Sequence, residues 1–414
     1  MTGYEACVRC GLCLPACPTY LETMTETSGP RGRISLMKAV DEGELDLLSP
    51  GFVEQMSQCL DCRACQAVCP SGVPYGQMLE EMRARIEAAQ APSRPAGART
   101  TRYLLLQWLF TKPSRLRTAA SLLRFAQRSG LTAFASVFGL RERVRLAPQI
   151  PDHFFVPDDQ QFTVSRAAGT AMLHAGCVMH VAFANVHEAT VRMLNRAHLS
   201  VVVPQAQGCC GALAVHAGED DFARELARVN IAAFERSGAE VYVVNAAGCG
   251  SALKEYGILL GDDPAWRERA EAFSSRVRDV TEVLDAMELP AARGRIDARV
   301  TYQEPCHLVH AQRVSAAPRR LLEKIPGLIL IEMNESAVCC GSAGIYNLTE
   351  PEMAQRLQAR KIANIAATGA TIVATANPGC ALQVASGLRS AGNQASVKHI
   401  VELLDEAYSL PPQG

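Results

Sequence analysis

Between residues 170 and 410, short apolar runs alternate with longer amphipathic ones. The runs "AMLHAG", "LSVVVP" and "EVYVVNAA", and later "ARVTYQEP", "LILIEM" and "ATIVATAN", are largely β-branched and too short for helices. Such runs predict buried strands. Between them, "DDFARELARVNIAAFERSG" and "PEMAQRLQARKIANIAATG" repeat apolar residues at helical spacing. Each closes on a glycine, Gly238 or Gly369, in the position a helix C-cap favours. Strands alternating with helices predict α/β units built on mainly parallel sheets.

Cysteines fall at or just after the C-terminal ends of these predicted strands, where open α/β sheets gather ligands. Cys177, Cys209, Cys210 and Cys249 are separated by 32, 1 and 39 positions. Cys306, Cys339, Cys340 and Cys380 are separated by 33, 1 and 40. The same order with nearly the same gaps indicates an internal duplication. In both copies the vicinal pair is followed by glycine, as "GCCG" and "VCCG".

Composition decides how to read the thiols. The chain has 414 residues and is 48% apolar, enough for two or three domains. Its net charge of −1 gives no general attraction to nucleic acid. The first residues, "MTGYEACVRC", lack the basic start and apolar stretch of a signal peptide. The longest apolar run, "YLLLQWLF", is too short to span a bilayer. A cytoplasmic location follows as an expectation. There, 16 cysteines read as metal ligands rather than disulfides.

Eight of those cysteines precede residue 70 and form a tandem. Cys7, Cys10, Cys13 and Cys17 are followed by Pro18, and Cys59, Cys62, Cys65 and Cys69 by Pro70. Both copies read C-x2-C-x2-C-x3-C-P, the run that holds [4Fe–4S] clusters. Three thiolates two residues apart wrap one cubane face, and the fourth ligates the other cluster in two-cluster ferredoxins. The expected ligand sets are therefore Cys7, Cys10, Cys13 and Cys69 for one cluster, and Cys59, Cys62, Cys65 and Cys17 for the second. A zinc site would use paired C-x2-4-C units rather than two quartets ending in proline.

The chain resembles the proteins with paired cysteine-rich "CCG" domains, found in heterodisulfide reductases, anaerobic glycerol-3-phosphate dehydrogenase, lactate-utilisation proteins and glycolate oxidase. "CGLCLPACPTY", "SGPRGRISLMKAV" and "CRACQAVCPSGVPYG" look most like the glycolate oxidase iron–sulfur subunits. One departure matters. The five-cysteine motif of heterodisulfide reductase ends in C-x-x-C, and here Ala246 and Asn377 replace the first cysteine of that pair. Four thiols per copy suffice for an ordinary [4Fe–4S] cluster, but not for a five-thiolate site. Two readings of these eight thiols stay open: further [4Fe–4S] ligands, or buried structural or redox-active dithiols.

Nearby histidines offer weaker signals. His180, His307 and His310 follow Cys177 and Cys306 closely and could bond a cluster sulfur or relay protons to a quinone. "EPCH" at Glu304–His307 resembles the family's motif, which favours His307. From Arg94 to Arg145 the chain has eleven Lys or Arg and a single acid, Glu142. Basic residues are interleaved there with Trp108 and several Phe. Such a stretch either lies in a membrane interface or packs on the core or a partner subunit.

The whole is expected to be α+β. A helical two-cluster ferredoxin-like domain (residues 1–92) leads through a basic amphipathic helical linker (93–165) to two α/β CCG domains (166–290 and 291–414). No Gly-rich dinucleotide fingerprint follows a strand, and no nucleophile has a defined base, so no catalytic residue is assigned. The resemblance implies the iron–sulfur electron-transfer subunit of a membrane-associated glycolate dehydrogenase. An FAD-containing partner would oxidise the hydroxy acid, this chain would pass single electrons to quinone, and the complex would sit on the cytoplasmic face of the inner membrane. The rivals are the equivalent subunit of a glycerol-3-phosphate or lactate dehydrogenase, and a heterodisulfide-reductase-like enzyme. The missing fifth cysteine argues against the last.

Overall fold

The computed structural model describes residues 3–110, 112–131 and 146–410. The N-terminal part is helical. Helices Pro18–Thr23, Pro30–Asp41 and Pro50–Gln58 each begin on a proline, whose fixed φ suits the first helical position and whose missing N–H is no loss there. Helices Ala64–Ala67 and Tyr75–Gln90 follow. They enclose a small core rich in methionine, with Met37, Met56, Met78 and Met82 around Phe52 and Leu79. Unbranched side chains suit an irregular space between short helices.

The two cysteine loops share one backbone device. Arg9 and Gly11 adopt positive φ (56° and 82°), as do Asp61 and Arg63 (50° and 61°) at the equivalent places. Left-handed residues between the thiols curl each loop so that its side chains converge.

Of the expected helical linker, Ala96–Arg102, a wider π-type turn over Tyr103–Leu109 and Pro113–Arg128 are helical, whereas its last part is not: Gln160–Phe162 forms a strand that pairs into the first sheet, so that sheet begins before residue 166. Helix Pro113–Arg128 buries Leu116 and Ala120 against Val181 and leaves Leu122 and Phe125 exposed. The expected basic stretch continues into residues 132–145, which lie outside the described residues.

Two parallel sheets make up the remainder. In the first, strands β1 (Gln160–Phe162), β2 (Gly169–Leu173), β3 (Leu199–Val203), β4 (Val241–Val244) and β5 (Val277–Asp279) take the order β1-β3-β2-β4-β5. Only β1 runs antiparallel to its neighbour. In the second, β6 (Ala298–Tyr302), β7 (Leu328–Ile331), β8 (Ile372–Thr375) and β9 (Ser396–His399) take the order β7-β6-β8-β9, all parallel. Without β1 the orders are identical, as duplication requires. Strands β1, β5 and β9 escape the sequence pattern because "QQF", "VRD" and "SVKH" are short and half polar. "LILI" was expected to be buried, yet Ile329 is 58% exposed. It lies on β7, the outer strand of a sheet whose copy of β1 is absent.

The halves interlock. The terminal helix Ile400–Ser409 of the second half packs on Ala184–Arg196 of the first, where Arg192 and Arg196 both bond Asp405 at 2.8 and 2.6 Å. Reciprocally, Val280–Ala286 packs on Ala316–Glu323 and Asp285 pairs with Arg320. Their cores are largely continuous.

Candidate iron–sulfur sites

Two thiol-lined cavities lie in the N-terminal part. One is lined by Cys7, Cys10, Cys13, Cys65 and Cys69, with Arg9 and Arg31 at its wall. The other is lined by Cys17, Cys59, Cys62 and Cys65, with Arg33, Arg63 and Tyr75. The structure thus brings the last cysteine of each quartet to the cavity of the other quartet's triplet, and Cys65 touches both. The first cavity is near the surface, with Cys10 exposed; all four thiols of the second are buried.

An anionic cluster fits the second cavity on an independent observation. Arg33 is completely buried and spends Nε on the Gln55 carbonyl (2.8 Å) and Nη1 on Thr19 Oγ1 (3.1 Å). Its Nη2 has no partner. A buried cation with a free donor beside four thiols suits a negatively charged group there. Tyr75 adds a hydroxyl that donates to Cys59 Sγ at 3.6 Å. The "SGPRGR" stretch supplies Arg33, and its Gly32 is compelled: a Cβ there would lie 2.1 Å from the Glu26 carbonyl oxygen.

In each CCG half the four thiols converge from three loops at the C-terminal ends of the central strands. The vicinal pairs need their glycine. Gly211 and Gly341 have φ of 82° and 86°, and a Cβ on Gly341 would lie 2.6 Å from the Ala354 carbonyl oxygen. Cys249 and Cys380 sit in the first turns of helices Ala247–Lys254 and Pro378–Ser390; the unpaired N–H groups there favour thiolate, but at Cys380 the neighbouring Cys340 and burial prevail and push the thiol up. Thiols touch in sequence, Cys177 to Cys209 to Cys210 to Cys249, and Cys306 to Cys339 to Cys340 to Cys380. The Cys249 thiol is lowered to about 6, by Cys210 foremost and by the adjacent His174 imidazole. Asn377, in place of the missing cysteine, donates to Cys380 Sγ at 3.4 Å.

The N-terminal and CCG sites meet. Cys62 packs in one apolar cluster with Cys306 and Cys339. Beside this contact lies a buried polar network that the sequence did not reveal. Arg63 pairs with Asp61 (2.8 Å), Glu80 (2.6 Å) and, across to the first CCG half, Glu255 (3.3 Å). His216 lies 3.2 Å from Asp61 and edge-on to His307. Burial alone would raise the Asp61 carboxyl, but Arg63 and His216 hold it well below the usual carboxylate range. The trio Asp61, Glu80 and His216 has metal-ligand spacing, yet the Arg63 guanidinium already occupies the cation's place. Only "LDCRAC", with two opposite charges inside a cysteine loop, hinted at it.

The three sequence-selected histidines separate. His307 Nδ1 lies 3.5 Å from Cys306 Sγ; burial disfavours its cation, but the Cys306 thiol outweighs this and draws its pKa upward. His180 and His310 each spend one ring nitrogen on a carbonyl, of Gly176 and Ala337; the Nε2 atoms of His180 and His307 have no hydrogen-bond partner.

Comparison with known proteins now bears on this geometry. Family models match residues 3–73 as a 4Fe-4S dicluster domain and residues 171–254 and 300–385 as the CCG cysteine-rich domain. Residues 97–149 match the linker region of the glycolate oxidase iron-sulfur subunit. The chain is 40% identical over 416 residues to the probable glycolate oxidase iron-sulfur subunit of Bacillus subtilis (strain 168), covering 97% of this chain and 93% of that protein. It belongs to the family of glycolate oxidase iron–sulfur subunits. The Escherichia coli (strain K12) glycolate oxidase iron-sulfur subunit is 33% identical over 408 residues, 97% and 94% of the two chains. Lactate utilization protein A of Exiguobacterium sp. (strain ATCC BAA-1283 / AT1b) is 29% identical over 235 residues, 56% of this chain and 96% of that one. As a member of this family the chain is an iron–sulfur subunit of an oxidoreductase and carries [4Fe–4S] clusters. No described helix is long and apolar enough to cross a membrane.

Proposed function

We propose that this chain relays electrons from an FAD-containing glycolate dehydrogenase partner to quinone, through its N-terminal part and its two CCG halves. Cys7, Cys10, Cys13 and Cys69 hold the outer cluster, and Cys17, Cys59, Cys62 and Cys65 the inner one. The CCG thiols form the next stations. Iron–sulfur clusters supply one-electron transfer between a two-electron donor and its acceptor. The chain's residues supply the rest: Arg33 and Tyr75 direct donors at the inner thiols, and Arg63 locks the N-terminal part onto the first CCG half. The observation that carries the reading is the row of thiol sites, from exposed Cys10 inward to Cys62, which packs on Cys306 and Cys339.

The test is a spectroscopic match. Cys17→Ser should reproduce the reduced-state spectrum of Cys62→Ser, and Cys69→Ser that of Cys10→Ser. Either pair should cut glycolate-driven quinone reduction in the reconstituted complex at least tenfold. If Cys17→Ser instead matches Cys10→Ser, each quartet holds its own cluster. If all four variants keep full electron flow, the relay reading fails.

The same reading places the complex peripherally on the cytoplasmic face of the inner membrane. Tyr103, Leu104, Trp108, Leu122 and Phe125 are exposed on a segment rich in arginine, and Arg115 stacks on Trp108 at 4.4 Å. Aromatic and basic side chains together suit an anionic lipid interface. The protein should bind anionic vesicles and be released by salt, with screening over about 8 Å at physiological ionic strength. Equal binding to neutral vesicles would leave the segment as a subunit-docking surface.

A further inference from the structure

Among the positions beside the thiols where the two CCG halves differ, one lies directly after a central strand. His174 stands three residues before Cys177, and Gln303 stands three before Cys306. Each directly follows its strand, β2 or β6, and each backbone N–H donates to the neighbouring strand, at Val243 and Ala374. The positions are structurally equivalent, and their side chains do opposite things.

Gln303 is satisfied within its own half. Its Oε1 accepts from Thr375 Oγ1 at 2.7 Å and its Nε2 donates to the Glu304 carbonyl at 2.7 Å. His174 is 2% exposed and only half satisfied. Its Nδ1 shares a 2.7 Å hydrogen bond with the hydroxyl of Tyr242, itself fully buried on β4. Its Nε2 has no nitrogen or oxygen partner; what it faces is the Cys249 thiol. A ring nitrogen of His174 and the sulfurs of Cys210 and Cys249 lie within 4.8 Å of one another. Since Nδ1 is committed to Tyr242, Nε2 is the nitrogen free to serve that group. No such set of three forms in the second half among the described residues.

A buried ring nitrogen with no nitrogen or oxygen partner is costly unless something fills the place. Two neighbouring thiols identify what would. Imidazole and thiolate together bind soft transition metals, and a ligating histidine ordinarily gives its other ring nitrogen to a partner that sets tautomer and orientation. Tyr242 occupies that outer position. With the proton on Nδ1 and donated to the Tyr242 oxygen, the Nε2 lone pair points at the thiols.

We propose that His174 is a nitrogen ligand in the first CCG half, making its metal centre a mixed thiolate–imidazole site with Cys177, Cys209, Cys210 and Cys249, whereas the second half is all-thiolate. His174 thereby stands in for the thiol lost at Ala246. Two metals share this chemistry, iron within an iron–sulfur centre and a single zinc ion, and metal analysis tells them apart. The inference rests on the reading of the first CCG half as metal-binding, and the test separates the two.

The full chain, purified anaerobically, is analysed for iron and zinc. It is then examined by pulsed EPR for directly coupled nitrogen, or by X-ray absorption at the edge of the bound metal if the centre is EPR-silent. His174→Gln, which installs the residue the second half already carries, should abolish the nitrogen signal and lower metal content by that one centre. The circular dichroism and the N-terminal cluster signals should be unchanged. If His174→Gln perturbs folding, parent protein grown with 15N-labelled histidine carries the test, and its coupling should change accordingly. Either metal with a histidine nitrogen supports the inference. Metal in the first half without nitrogen coupling overturns it while sparing the reading of the half as a metal site. No metal beyond the N-terminal clusters overturns both.

Discussion

The two CCG halves share strand order, thiol spacing and loop glycines, yet they balance the charge of their thiols differently. The second half has Lys361, 2% exposed, whose Nζ donates to the carbonyls of Glu335 and Ser336 at 2.6 and 3.0 Å. Burial pulls its pKa down, and the charges of Cys340, Cys339, Cys380 and Cys306 oppose that. The equivalent place in the first half, ten residues into the matching helix, is Asn230. Its amide donates to the Cys209 carbonyl (2.9 Å) and accepts from the Gly208 N–H (2.9 Å). The second half also sets His307 against its first thiol, while the first half offers His174 and no buried lysine. Duplication preserved the thiol positions, which the backbone dictates. The groups around them, which tune charge and potential, were free to diverge.

The largest expected effect comes from exchanging these groups. Lys361→Met should cost about 2–3 kcal/mol, because two buried carbonyls lose their donor. On the proposed reading of these thiols as a metal site, it should also make the second half release metal more readily, read by metal content after mild chelation. Asn230→Leu should cost about 2 kcal/mol for its lost backbone bonds without a comparable effect on the second half. Equal metal retention in both variants would break the comparison.

A smaller contrast lies in the helix caps. Asp279 and His399, the last residues of β5 and β9, occupy equivalent N-cap positions, each in a capping box with Glu282 or Glu402. Burial lowers His399 to about 4 from 6.5, against the opposing pull of the Asn245 carbonyl, to which its Nε2 donates; its Nδ1 accepts from Val401 N–H. A histidine depressed in the folded state contributes stability above about 6.5 that is lost as pH falls toward 4. Between pH 7.5 and 5 this amounts to about 2 kcal/mol. Burial raises Asp279 to about 6 from 3.8, against the hydrogen bonds from Thr281. Its folded form holds the proton more tightly, so stability is lost as pH rises from 3.8 to 6, by about 1.4 kcal/mol between pH 5 and 7.5. Chemical denaturation at the two pH values should therefore show His399→Asn relieving acid sensitivity and Asp279→Asn relieving the opposite slope. Slopes of the same sign would mean that the caps are not electrostatically distinct.

The sequence by itself determined the chemistry and the repeat. Ligand spacing in the N-terminal tandem, the matched gaps of the later cysteines, and the β-branched runs before them are local patterns. Local patterns survive translation into structure because strand period, helix period and thiol reach act over a few residues. The left-handed residues at Arg63 and Gly341 belong to the same class, although only the glycine declares itself in the sequence.

Tertiary structure decided everything that depends on distant residues meeting. It placed Cys62 against Cys306 and Cys339, closed Arg63 onto Glu255, and set Arg33 with its free donor among the inner thiols. It separated His174, left with a free nitrogen at the thiols, from Gln303, bonded away from them; in the sequence each is one polar residue after a strand. Strands β1, β5 and β9 were likewise invisible. Too short to show an apolar period, they form because a neighbouring strand leaves its backbone groups to be paired.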